Sequence, residues 1–155
     1  MTESRTISLC LSADKPFALT VFCGDGDRFA RLFTETWFQL PPAARTSILT
    51  HWTQEDNPEI WIEFSNAWRK CATRYAEICC RGCELNFNAQ EFDGMPEAVA
   101  KAVIAHELAH AFQYATGKDQ AVDIESDADD LIIQWGFDWL AKIQWKATRR
   151  SGVTV

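Results

Sequence analysis

His106 and His110 stand four positions apart with Glu107 directly after the first, in the run His106-Glu107-Leu108-Ala109-His110. Residues i and i+4 share one face of a helix, so both imidazoles can reach a single metal ion. Zinc takes imidazole nitrogen readily and keeps an open position where it does chemistry. Glu107 would lie beside that position, as a carboxylate able to take a proton from the activated water and return it to a leaving amine. Coordination makes this feasible near neutral pH by lowering the pKa of water from about 15.7 to about 7. Two of the three histidines in the chain fall in this pentapeptide. An accidental match arises in roughly one chain of this length in a few hundred, on ordinary residue usage. The pattern predicts one zinc ion per chain, with His106 and His110 as ligands and Glu107 as general base.

A catalytic zinc normally holds three protein ligands. No histidine follows His110, which excludes the longer HExxH-x-x-G-x-x-H arrangement and calls for a carboxylate. The chain offers Asp119, Asp123, Glu125, Asp127, Asp129 and Asp130, with no basic residue between the first and the last. Glu125 opens a second amphipathic helix whose apolar stripe runs Ile124, Ala128, Leu131, Ile132, Trp135, Trp139 and Ile143. Glu125 and Asp129 are i, i+4 neighbours beside that stripe. One of them can ligate zinc while the other accepts a hydrogen bond from the outer nitrogen of a ligand histidine.

With His-Glu-Leu-Ala-His followed by Glu-x-x-Ala-Asp on a later helix, the chain resembles the gluzincin branch of zinc metallopeptidases. The stretch from Ala128 to Phe137 is similar to the ImmA/IrrE-type and minimal gluzincins. The resemblance covers about Cys83 to Phe137. It implies His106, His110 and Glu125 as zinc ligands, Glu107 as general base and Asp129 as the residue that orients a histidine. Asp127 and Asp123 stay open as replacements for Glu125. The implied fold is a zincin-like α+β domain over residues 1–155. A small mixed or antiparallel sheet packs there on the HExxH helix and on a C-terminal helix that carries the third ligand. No residue is placed by motif as an oxyanion stabiliser; Tyr114, one turn beyond His110, is a candidate, with Tyr75 and His51 as others.

The elements that must position these groups follow from patterning. Pro96 is a good first-turn residue, the apolar positions from Ala98 to Phe112 form a broad surface, and Gly117 is a stop signal. A helix over about 96–116 results, in which Ala105 and Ala109 leave room for metal and substrate. Thr6–Ser12 and Phe17–Cys23 read as paired strands, Gly24 through about Gln39 and Pro41-Pro42 through about Trp52 as helices, and Glu59–Phe64 as a short strand. Gly24-Asp25-Gly26 is a turn and N-cap rather than a phosphate loop, which would need a further glycine and a lysine. Between Trp68 and Asn88 a helix plus strand competes with a hairpin turning at Arg81-Gly82, and Cys83–Asn88 is a strand either way. In the implied fold that strand forms the sheet edge above the cleft, where an extended peptide can add.

At 155 residues with 47% hydrophobic content, the chain can bury a sizeable aromatic core. A net charge of −7 argues against nucleic acid and anionic membrane as partners. The basic end, Lys142, Lys146, Arg149 and Arg150, reads as a solvated helix terminus. The start lacks signal-peptide features and no run of 18 apolar residues occurs, so a cytoplasmic location is expected. The six cysteines should be reduced there. Cys79, Cys80 and Cys83 read chiefly as small buried apolar residues, with a redox or disulfide role and a structural zinc on Cys71, Cys79, Cys80 and Cys83 as alternatives; the zinc would need Cys71 to reach across, since a second CxxC is absent. The expected activity is zinc-dependent peptide hydrolysis. The alternatives are a zinc-binding interaction domain with little hydrolysis and a hydrolase of non-peptide amides or esters.

Overall fold

The structure, a computed structural model, describes residues 3–66 and 75–150, with side chains as far as residue 148. It is an α+β chain with a mixed five-stranded sheet in the order β1-β2-β3-β5-β4, where β1 is Arg5–Leu9, β2 Phe17–Val21, β3 Trp61–Ser65, β4 Ala76–Cys79 and β5 Glu84–Asn88. β2, β3 and β5 run parallel, while β1 and β4 are antiparallel edge strands. The register aligns Leu19, Ile62 and Leu85 on one pleat and Val21, Phe64 and Phe87 on another. Thr20, Glu63 and Asn86 align on the opposite face. Alternation of side chains about the pleat gives the sheet one apolar face, and the helices cover that face.

Six helices form among the described residues: α1 Gly26–Gln39, α2 Pro42–Trp52, α3 Ala89–Phe92, α4 Glu97–Ala115, α5 Ile124–Gln134 and α6 Trp139–Arg150. Asp25 caps α1 by accepting from Arg28 N at 3.0 Å. The buried α1 side chains Phe29, Leu32, Phe33 and Trp37 recur at helical spacing. Phe29 stacks on Phe64 at 4.4 Å and tilts against Phe87 at 4.9 Å, which joins α1 to the sheet. α4 is apolar nearly all round, and it packs against α1, α2, α5, α6 and β4. Its polar groups are therefore buried within protein unless a cavity reaches them. None of the helices among the described residues is long and apolar enough to cross a membrane.

Several expectations change. The hairpin reading holds for 75–88, with 67–74 outside the described residues. Cys83–Asn88 supplies β5, which is interior; the edge strand is β4, because the hairpin returns antiparallel on the far side of β5. The stripe from Ile124 to Ile143 is split between α5 and α6. Gly136, at φ +87, ends α5: its N–H bonds Ile133 O and that of Phe137 bonds Ile132 O. Gly117 ends α4 in the same way, with Lys118 N on Gln113 O at 2.8 Å. Ala105 and Ala109 lie in the core rather than beside a cavity, their small size allowing close packing of α4.

Candidate metal centre

α4 carries His106 and His110 on one face, and their Nε2 atoms come within 3.1 Å of each other. The turn 117–123 then brings the start of α5 against that face. Glu125 places Oε2 2.9 Å from His106 Nε2 and Oε1 3.1 Å from His110 Nε2. Neither alternative carboxylate occupies this position. Asp123 caps α5 by accepting from Ser126 N at 3.0 Å. Asp127, two residues and so about 200° round the helix from Glu125 and from Asp129, is exposed.

The outer nitrogens decide which atoms face inward. His106 Nδ1 lies 2.9 Å from Asp129 Oδ1, and an ionised carboxylate only accepts, so Nδ1 carries the proton. Gln113 donates through Nε2 to Ile124 O at 2.9 Å. Its Oε1 is therefore the atom that meets His110 Nδ1 at 2.7 Å, and that nitrogen too carries its proton. Both Nε2 atoms of the neutral rings then present lone pairs to each other and to the Glu125 oxygens. A cluster of lone pairs at these separations repels itself unless a cation or an added proton lies among them.

Zinc fits this donor set. Nitrogen and oxygen ligands at about 2.0–2.1 Å in tetrahedral array stand about 3.3 Å apart, close to the observed 2.9 to 3.1 Å. His106, His110 and Glu125 would hold the ion, and Asp129 and Gln113 would fix the rings. In the metal-free form the same contacts shift the ionisations. Burial disfavours the imidazolium of His106, but hydrogen bonds to Asp129 and Glu125 outweigh it and raise its pKa. The hydrogen bond with His106 holds Glu125 down to about 2. Asp129 also lies well below the ordinary range: burial opposes this, and the His106 hydrogen bond and the Lys142 charge prevail.

Glu107 is buried, and burial pushes its carboxyl up. Among the described residues no hydrogen bond engages it. It lines a cleft of about 1010 Å³ whose floor is α4, with Tyr75 to Ile78 leading into and along β4 on one side and Glu125, Asp129, Lys142 and Lys146 of α5 and α6 on the other. The basic end is thus not simply solvated. Lys142 is buried with Nζ 3.3 Å from Asp129 Oδ1, and Lys146 lines the cleft. The side chains of Arg149 and Arg150 lie outside the described residues.

Of the oxyanion candidates, Tyr114 and Tyr75 both line the cleft. Tyr114 also packs on the hairpin turn, since a Cβ added at Gly82 would meet its ring at 3.1 Å. His51 is elsewhere, donating from Nε2 to Arg81 O at 2.6 Å. The cysteines differ from expectation. Cys83 is buried, but Cys79 is half-buried and Cys80 exposed, because their positions fall at the hairpin tip rather than on the core face. Cys71 lies outside the described residues. Two site residues were missed from sequence. Gln113 could have been found, standing three positions after His110 on the same face. Lys142 had no local signal, being on a helix beyond the Gly136 break.

Fold and site together define an α+β chain with a His, His, Glu donor triad beside a buried glutamate in an open cleft. No protein-family model matches the chain, and comparison with curated proteins and with solved structures returns no match.

Proposed function

We propose that this protein is a zinc-dependent metallopeptidase of the gluzincin type. The observation that carries the reading is the convergence of His106 Nε2, His110 Nε2 and Glu125 on one point, with both Nδ1 protons committed elsewhere. When bound, zinc supplies Lewis acidity that polarises a carbonyl and acidifies water. Glu107 takes the proton of the attacking water and delivers it to the leaving nitrogen. A carboxyl whose pKa is raised by burial is a stronger base than an ordinary one and takes that proton more readily. Asp129 and Gln113 keep the imidazoles oriented through the cycle.

Peptide is favoured as substrate because the cleft runs beside β4, an edge strand with β5 on its one paired side among the described residues. Pairing of an extended chain along such an edge would align its carbonyls with the cleft. An open cleft over Glu107 also favours hydrolysis over a purely structural ion, which closes its fourth position with a protein ligand.

Two measurements test the reading. Elemental analysis should show the His106→Ala, His110→Ala double variant losing one zinc per chain relative to wild type; equal zinc content in the two proteins would overturn it. Hydrolysis of an unfolded protein and of a quenched-fluorescence peptide library should fall about 10²- to 10⁴-fold in Glu107→Gln, with zinc content unchanged. Zinc retained but no hydrolysis by wild type would instead favour the zinc-binding interaction domain.

A further inference from the structure

We propose a second metal site, for a thiophilic ion such as zinc, formed by Cys79, Cys80 and Glu84 at the tip of the β4–β5 hairpin. It is independent of the histidine centre and does not rest on the proposed hydrolytic function. The antiparallel register sets Cys79 directly opposite Glu84, and Cys79 Sγ donates to Glu84 Oε2 at 2.6 Å. Cys80 then adopts a left-handed backbone, φ 53, which turns its side chain back so that Sγ lies 3.7 Å from the same oxygen. One donor atom from each of the three residues lies within 4.8 Å of the others. Among the described residues no lysine or arginine pairs with Glu84; its hydrogen-bond partners there are the two thiols.

The tip is held in this shape from outside. Trp52 Nε1 donates to Gly82 O at 2.8 Å, His51 Nε2 to Arg81 O at 2.6 Å, and Arg81 Nη2 to Asp56 O at 3.0 Å. Consecutive left-handed residues Cys80 and Arg81 are unfavourable and persist because these bonds over-determine the turn. The donor set is therefore preorganised.

Two thiolates and a carboxylate favour zinc, cadmium or copper(I) over magnesium or calcium, which prefer all-oxygen sites. Binding of a divalent ion by both sulfurs as thiolates replaces the two S–H protons, and Glu84 supplies the third donor. Three protein donors, one of them at the surface, leave a position open, so the ion exchanges with solution.

Cobalt(II) titration of the whole chain tests this. Wild type should bind two ions and develop sulfur-to-cobalt charge-transfer absorption in the near ultraviolet. Cys79→Ser, Cys80→Ser should bind one ion and lose the band. His106→Ala, His110→Ala should also bind one ion but keep the band, and Glu84→Gln should weaken the thiol site about tenfold or more. A Cys10→Ser control should behave as wild type. The proposal is overturned if wild type shows no charge-transfer band, or if the band survives loss of Cys79 and Cys80. A missing histidine-bound ion with the band intact would count against the metallopeptidase reading and leave this site supported.

Discussion

Replacing Asp129 or Gln113 by alanine removes the acceptor that holds an imidazole proton in place. Each change should weaken zinc binding about 10- to 100-fold without removing a ligand, measured by competition with a chelator of known affinity. Glu125→Ala should abolish tight binding, and Asp127→Ala should leave it unchanged because that side chain points away from the histidines. If Asp127→Ala proved the more damaging change, the pairing of α5 with α4 described above would be wrong. At this scale His106, Glu107 and His110 were legible because helical spacing alone sets their relation. The choice among acidic residues was not, since Glu125, Asp127 and Asp129 differ only in which way each points once α5 is docked.

The elements that carry the site are joined by turns whose geometry is demanding. Gly82, at φ +82, lies against Tyr114, and the turn it belongs to is tied to the end of α2. Gly82→Ala should therefore destabilise the protein by about 1–3 kcal/mol, read as a lower urea midpoint with an unchanged denaturant slope. A midpoint equal to wild type would mean the turn relaxes freely. The existence of α1, α2 and α4 was readable from periodicity and capping. The break at Gly136 was not, because the apolar spacing of Ile132, Trp135 and Trp139 continues through it. A glycine with a fitting C-terminal partner, here Phe137, was the available signal.

In the whole molecule, the metal would join α4 to α5, so it should stabilise the fold as a ligand of the native state alone. Zinc at 1,000 times its dissociation constant contributes about 4.1 kcal/mol. The pH dependence of the chelator-treated protein follows from the shifted groups. His106 has a raised folded pKa, so its contribution is fully present below the ordinary 6.5 and is lost as pH rises through the folded value. Glu125 and Asp129 have lowered pKa values, so theirs is present above about 4.5 and is lost as pH falls toward the folded values, about 2 for Glu125. Metal-free protein should thus have a lower melting temperature at about pH 8 than at about pH 6. Saturating zinc should raise it more at the higher pH, where protons compete less for Nε2. Calorimetry at both pH values decides the matter, and a zinc-induced rise that shrinks with pH would contradict it.

What the sequence determined by itself was local. Two imidazoles and a carboxylate within five residues of a helix have a fixed relation, and the apolar face around them requires that the helix be buried. The tertiary structure alone decided which carboxylate closes the triad, that Lys142 reaches Asp129 from α6, and that β4 rather than β5 borders the cleft. It also decided that two thiols share one glutamate. Each of these depends on how separate elements dock. Docking is set by the summed packing of a core that runs from Leu9 to Phe137 and by turns such as 80–83 and 135–137, whose direction no short period in the chain reveals.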